Sequence, residues 1–437
     1  MPESYKEDFS PRQAVADIAQ LSRLTAKGDS VVKLHDALGT PDDEHRFTLC
    51  RLGEPVVLFE LLPIFESLGA HVLEERPYQL VRADGETAWV YDVAVRLPAR
   101  DPDVSASDEA DRFCDAFLAA WRGQTEIDGL NGLVSTTDLT WREVAWVRAW
   151  LQYARQLGTP FSIQYSVRMI LANGEITERL VRLFRARLDP QLDRADREAH
   201  AAVLEEELNA AIDAVASLDA DRVLRQLHSI VQATLRTNAF QSQPDGSPRP
   251  TLALKLAPHQ IPGVPAPVPT YEIWVSSPRI SGVHLRFGAV ARGGLRWSDR
   301  PEDMRTEILG LVKAQMVKNA VIIPVGAKGG FIVKQPRDPS DRALWREDGI
   351  ACYREFITAL LQLTDNRVAG EVVPPADTVR LDGDDTYLVV AADKGTAAFS
   401  DIANAIAVEE GFWLGDAFAS GGSHGYDHKA IGITVRG

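Results

Sequence analysis

Three cysteines in 437 residues, Cys50, Cys114 and Cys352, stand far apart and are odd in number. That excludes a disulfide framework and a zinc ribbon; each thiol is expected to be a small core residue in a reducing compartment. No apolar run approaches the length of a membrane span, and charges occupy the N-terminus where a signal peptide needs an apolar stretch. Also missing is a G-x-G-x-x-G hexamer, the turn that opens a helix against a dinucleotide. Basic residues are in deficit, 47 Lys plus Arg against 62 Asp plus Glu, and the net charge of −15 disfavours nucleic acid and anionic membrane as partners. The 45% hydrophobic content supplies two or three cores, so a cytoplasmic multidomain protein is expected.

The charge is unevenly spread. Between residues 281 and 340, ten Lys plus Arg face five Asp plus Glu, a basic island in an acidic chain that suits an acidic small molecule. Two cations there directly precede glycine pairs: Arg292 before Gly293 and Gly294, and Lys328 before Gly329 and Gly330. Glycine allows the main chain to approach a ligand closely, so substrate can touch backbone and cation together. Between the pairs, 301–319 reads as a helix, with Ser298 or Asp299 as its cap and Glu302 and Asp303 in its first turn. Ile308, Leu311, Val312, Gln315 and Lys318 share one face of it, which turns a glutamine and a lysine inward. A lone inward lysine at a helix end ordinarily snorkels to water. A second lysine after the apolar strand VIIPV favours an anion-binding active site instead.

Three other patterns take plainer readings. PVGAKGG lacks the G-x-x-x-x-G-K-[ST] order of a phosphate loop. His424 and His428 are four apart, but SHGYDH reads as a loop and supplies too few zinc ligands. Asp382, Asp384 and Asp385 in LDGDD read as a hairpin-like turn with no metal.

Upstream, residues 1–43 read as a helical segment and linker. From 44 to 104, RFTLCR, VLEERPYQLVRA and TAWVYDVAVRL give strands, FELLPIFESLG a helix, and Asp84-Gly85 a tight turn. Helices dominate 105–240, where Thr140 and Glu143 form a capping box and Gly158 supplies a stop. The aromatic residues of WREVAWVRAWLQYARQL, at helical spacing, read as core. A Pro- and Gly-rich crossing, 241–269, precedes strands alternating with helices to 437, the α/β signature. The fold class is thus α+β and α/β multidomain.

The ordered series Arg292-Gly293-Gly294, Gln315-x-x-Lys318, Pro324-x-Gly326-x-Lys328-Gly329-Gly330 and Asp393 after LVVAA resembles the substrate-binding part of the large NAD-specific glutamate dehydrogenases of bacteria. The closing stretch ASGGSHGYDHKAIGITVRG is similar to that family as well. The resemblance implies that Gln315 and Lys318 hold the α-carboxylate of L-glutamate or 2-oxoglutarate, with Arg292 and the Gly293 backbone near the other end. Arg292 stands where the smaller glutamate dehydrogenases carry lysine, so a planar fork replaces a point charge there. Lys328 is the expected activator of the attacking water, since crowding by cations and partial desolvation favour a neutral amine. Asp393 is the expected proton shuttle to the amino nitrogen; the plainer role for it is a turn or cap aspartate.

NAD is the implied cofactor, with Thr434 the residue assigned to it, and a homo-oligomer is the family expectation. The resemblance also makes 44–104 an ACT-like, ferredoxin-like module, either an amino-acid sensor or a packing unit. It makes 241–437 the substrate half of a catalytic domain, in a fragment that stops before the coenzyme domain and is expected to be inactive alone. Two alternatives belong beside it: a shortened, non-catalytic amino-acid-binding protein, and a dehydrogenase for another amino acid with the same Lys328 and Asp393.

Overall fold

The computed structural model describes residues 2–36, 43–98, 106–318, 325–396, 398–423 and 432, the side chains of 106–107 and 316–318 excepted. They form two compact units, 1–145 with 167–178 and 146–166 with 179–437.

In the first unit, α1 (Glu3–Asp8) and α2 (Pro11–Leu21) precede β1 (Ser30–Asp36), β2 (Glu44–Leu52), α3 (Leu58–Ser67), β3 (His71–Val81), β4 (Thr87–Arg96) and α4 (Ala106–Trp121). Ser10 caps α2 in a capping box with Gln13, and Pro11 opens the helix where its missing N–H costs nothing. The strands make an antiparallel sheet ordered β1-β2-β4-β3. Its first strand lies ahead of residue 44, in the segment read as helix and linker; SVVKLHD has a polar, half-exposed edge that hides its alternation. Gly85, with φ +86°, supplies the turn between β3 and β4. β2 is buried on both faces. Phe47 packs with Phe65 of α3 and Phe117 of α4 on one side, while Cys50 and Leu52 join Tyr5, Leu21 and Tyr78 on the other. Each such ring contributes about 2 kcal/mol by burial. α5 (Gly132–Thr136) follows, then α6 (Trp141–Gln156), started by the Thr140–Glu143 capping box, whose Thr140 N–H donates to Glu143 Oε2 at 2.8 Å.

α7 (Ile163–Leu171), α8 (Gly174–Leu188), α9 (Arg194–Asp213) and α10 (Leu218–Ala233) complete the helical stretch. Trp150 and Tyr153 of α6 are fully buried in the second unit, as core residues.

The sheet of that unit starts at β5 (Thr234–Thr237), inside the region read as helical, and continues with β6 (Leu252–Leu256), inside the Pro- and Gly-rich crossing. Then come β7 (Tyr271–Ser276), β8 (Ile280–Arg286), β9 (Arg292–Trp297), α11 (Met304–Lys318), β10 (Ala327–Val333), α12 (Arg342–Leu361), the small β11 (Asn366–Val368) and β12 (Glu371–Val373) ribbon, β13 (Val389–Ala392), α13 (Ser400–Glu409) and β14 (Ala419–Ser420). Among the described residues the sheet order is β14-β13-β9-β10-β8-β7-β6-β5, parallel from β14 to β10 and antiparallel beyond. It is therefore mixed. Neighbouring residues of β10 show its two faces: a Cβ on Gly330 would meet Ile308 of α11, whereas Phe331 packs on Tyr353 and Phe356 of α12. The α12 side holds a core that includes Ile273, Leu295, Phe331 and Val390, closed by Ala403 and Ile406 of α13.

α11 begins three residues later than its first expected residue, so Glu302 and Asp303 lie in the turn before it. Ser298 does not cap it; its hydroxyl donates to Glu307 at 2.6 Å. Ile308 and Val312 are buried as the stripe requires, and Arg305 beside them is buried as well, in an ion pair with Glu272 at 2.7 Å. Cys50 and Cys352 are buried and all three cysteines are free. Among the described residues no helix is long and apolar enough to cross a membrane.

Candidate active site

β9 runs parallel between β10 and β13, and the register decides which side chains meet. Gly294 lies opposite Ala391, and Leu295 opposite Gly329 and Ala392. Lys328 therefore sits beside Gly294 on one flank, and Asp393 follows the last residue of β13 on the other. Lys328 Nζ donates to Asp393 Oδ2 at 2.6 Å, with both side chains largely buried. They meet directly over Gly294: a Cβ there would lie 3.2 Å from Lys328 Nζ, 3.1 Å from Asp393 Cβ and 2.7 Å from the Ala392 carbonyl oxygen. A side chain at this position would push the pair apart. Gly293 is tighter still, since a Cβ would fall 1.4 Å from the Ala327 carbonyl oxygen. The glycine pair is thus a packing requirement of the strands that carry the lysine and the aspartate.

Arg296, two residues beyond Gly294 and so on the same face, completes the cluster. Its Nη2 donates to Asp393 Oδ1 at 3.1 Å and its Nη1 to Glu307 Oε1 at 2.8 Å. Glu307 also accepts from Ser298, which ties the first turn of α11 to the end of β9. Burial acts to raise the Asp393 carboxyl, but hydrogen bonds from Lys328, the Lys394 amide and Arg296, with the charge of Lys328, outweigh it and hold the group below the usual carboxylate range. Lys328 thus faces a carboxylate it shares with Arg296, where the sequence implied a crowd of cations alone. Asp393 also serves its local turn, accepting from the Lys394 amide.

The remaining expected residues divide clearly. Arg292 is exposed at the start of β9, and its Nη2 donates to the Tyr387 hydroxyl at 3.1 Å. Gln315 reaches the same strand end: its Nε2 donates to the Arg292 carbonyl at 3.1 Å, and its Oε1 is buried near Gly293 with no partner among the described residues. Lys318 is the last residue of α11, but its side chain lies outside the described residues. Pro324, Thr434, His424 and His428 also lie outside them. Among the described residues no group of three or more His, Cys, Asp and Glu is arranged to hold a metal. Nor do they contain a strand, glycine-rich turn and helix of the kind that seats a dinucleotide.

LDGDD is not a hairpin. Asp382 and Asp385 turn inward and neutralise three buried cations on the α12 side of the sheet. Arg236 pairs with Asp365 at 2.9 Å and Asp382 at 2.6 Å, Lys255 with Asp382 and with Asp385 at 2.6 Å, and Arg286 with Asp385. Burial would raise the Asp385 carboxyl, yet Arg286 and Lys255 bring it down to about 2. In the same row, His284 is fully buried, neither ring nitrogen meets a partner among the described residues, and burial next to Arg286 pulls it down to about 3. Sequence reasoning missed Arg296, although its i+2 spacing from Gly294 marks the shared face. Glu307, Tyr387 and the buried ion cluster carry no comparable local signal.

Four family models match along the chain: the bacterial NAD-glutamate dehydrogenase catalytic domain over 207–437, glutamate dehydrogenase helical motif 3 over 125–190, the glutamate dehydrogenase ACT3 domain over 29–109, and helical motif 2 over 1–24. NAD-specific glutamate dehydrogenases of Mycobacterium tuberculosis, Pseudomonas aeruginosa and Halomonas elongata are 49%, 48% and 47% identical to it over its whole length. The chain spans 27% of the length of these curated relatives. The ACT3 match agrees with the four-stranded first unit, and the catalytic-domain match takes in the sheet that brings Lys328 to Asp393. By that match, which covers more than half of it, the chain belongs to the bacterial NAD-glutamate dehydrogenase family.

Proposed function

We propose that the full-length protein catalyses the NAD-dependent oxidative deamination of L-glutamate to 2-oxoglutarate and ammonia, and that this chain supplies its substrate-binding and proton-transfer groups. The observation that carries the reading is the Lys328–Asp393 pair, 2.6 Å apart over a glycine and bordered by Arg296. Once the α-carbon stands at the iminium level, water must add to it and the amine must leave. Lys328 Nζ, as the free amine left once its ammonium has lost a proton to solvent, takes the proton of the attacking water. Asp393 gives and takes the proton of the nitrogen that departs as ammonia, and Arg296 with Glu307 holds its carboxylate in place. Gln315 and Lys318 bind the α-carboxylate and Arg292 the distal one, through charge-assisted hydrogen bonds.

The substrate-binding part takes in 241–437 together with β5, and the ACT-like module takes in 44–104 together with β1. A cytoplasmic homo-oligomer belongs to the same proposal. Steady-state kinetics of the full-length protein test it: glutamate-dependent NAD reduction that disappears in Lys328→Met supports the reading, and undiminished turnover in that variant overturns it.

A further inference from the structure

We propose that Tyr387 is a specificity-determining residue, which joins Arg292 in gripping the distal carboxylate of the substrate. The inference rests on the reading of Arg292 as a substrate clamp. Arg292 is exposed, and among the described residues no carboxylate pairs with its guanidinium. Its neighbour is a phenol. Because the Tyr387 oxygen accepts from Arg292 Nη2, the hydroxyl proton is left for a second acceptor. A carboxylate placed against the free edge of the guanidinium can take that proton with one oxygen and an Arg292 N–H with the other.

The backbone that carries Tyr387 is irregular yet held at each residue. Asp385 is fastened by Lys255 and Arg286, the Thr386 carbonyl accepts from Trp413 Nε1 at 2.7 Å, and the Tyr387 carbonyl accepts from Arg286 Nη1 at 2.7 Å. Two residues later Val389 enters β13 directly opposite Arg292. The phenol is therefore presented to the arginine from a fixed frame anchored in the buried ion cluster, and little freedom is lost when a carboxylate joins them. A site built to hydrogen-bond a group discriminates strongly against an analogue that lacks it.

The test compares glutamate with norvaline, which carries a methyl group in place of the distal carboxylate, in the full-length enzyme. For Tyr387→Phe, the expected result is a KM for glutamate raised about tenfold, kcat within about threefold, and kcat/KM for norvaline unchanged, as loss of one hydrogen bond to a charged group predicts. In a cycle with Arg292→Leu, the double variant should lose less than the product of the single losses. An unchanged preference for glutamate, or equal losses on both substrates, overturns the proposal. If Tyr387→Phe lowers the unfolding midpoint, the comparison is made at a temperature where circular dichroism shows the variant folded: a loss confined to glutamate supports the contact, and unchanged preference overturns it. A wild-type enzyme that does not oxidise glutamate would instead overturn the reading of the site on which the proposal stands.

Discussion

Lys328 Nζ and Asp393 Oδ2 lie 2.6 Å apart although 65 residues separate them in the chain. Two parallel strand pairings, β10 to β9 and β9 to β13, bring them to the same place, and the bare Gly294 between them leaves room for both side chains. If the pair transfers protons, Lys328→Met and Asp393→Asn should each lower kcat of the full-length enzyme by roughly a hundredfold to ten-thousandfold, with KM for glutamate moving far less. Steady-state kinetics check this, and a variant keeping a tenth or more of its kcat loses its assigned role.

Arg296 has a separate signature. Asp393 sits below the usual carboxylate range partly because Arg296 donates to it, so removing that guanidinium moves the carboxyl upward. A group that must be ionised is then lost at a higher pH on acidification. The acid limb of kcat/KM in Arg296→Met should therefore shift to higher pH than in the wild type. An unmoved acid limb would show that Arg296 does not tune the aspartate.

The buried cluster around Arg236 is a stability element. Arg236 and Asp365 are fully buried, and Arg236→Met leaves Asp365 and Asp382 short of a cation in a place water does not reach. Breaking a buried pair on one side costs about 3–5 kcal/mol. A clear fall in the unfolding midpoint, followed by circular dichroism, is the expected outcome; a midpoint within about a degree of the parent would mean that the cluster relaxes to solvent.

His284 sets an acid sensitivity. In the unfolded chain it takes up a proton near its ordinary value of 6.5, but in the folded protein not until about 3, so the unfolded state binds more protons between those values. Its contribution is harmless above pH 6.5 and destabilises progressively as pH falls toward 3. Asp385, folded value about 2 against an ordinary 3.8, adds stability that is lost as pH falls from about 3.8 to 2. Urea unfolding of the parent should thus weaken from about pH 6.5 downward, while His284→Leu should show a flatter profile between about pH 6.5 and 4. Parallel profiles would remove His284 from this role.

Local chemistry was legible wherever a residue's neighbours in sequence are its partners in space. The Thr140–Glu143 capping box, the turn at Gly85, the stripe of Ile308 and Val312, and the core placement of Trp150 follow from spacings of two to four residues, and all stand in the structure. β1 and β6 were not legible: one is a half-polar edge strand and the other interrupts a Pro- and Gly-rich stretch, so neither shows a strong alternation.

From sequence alone come the residue types of the site and their order: cations against glycine pairs, a Gln and a Lys on one helix face, and an aspartate after an apolar strand. Tertiary structure alone decided the partners. Strand register places Lys328, Gly294 and Asp393 side by side, and the irregular segment before β13 brings Tyr387 to Arg292. The same folding turns the acidic LDGDD segment inward onto Arg236, Lys255 and Arg286. The reason is physical. Periodicity and capping act over a few residues, whereas a hydrogen bond between groups 65 or 95 positions apart exists only after the sheet has closed and its register has chosen which faces meet.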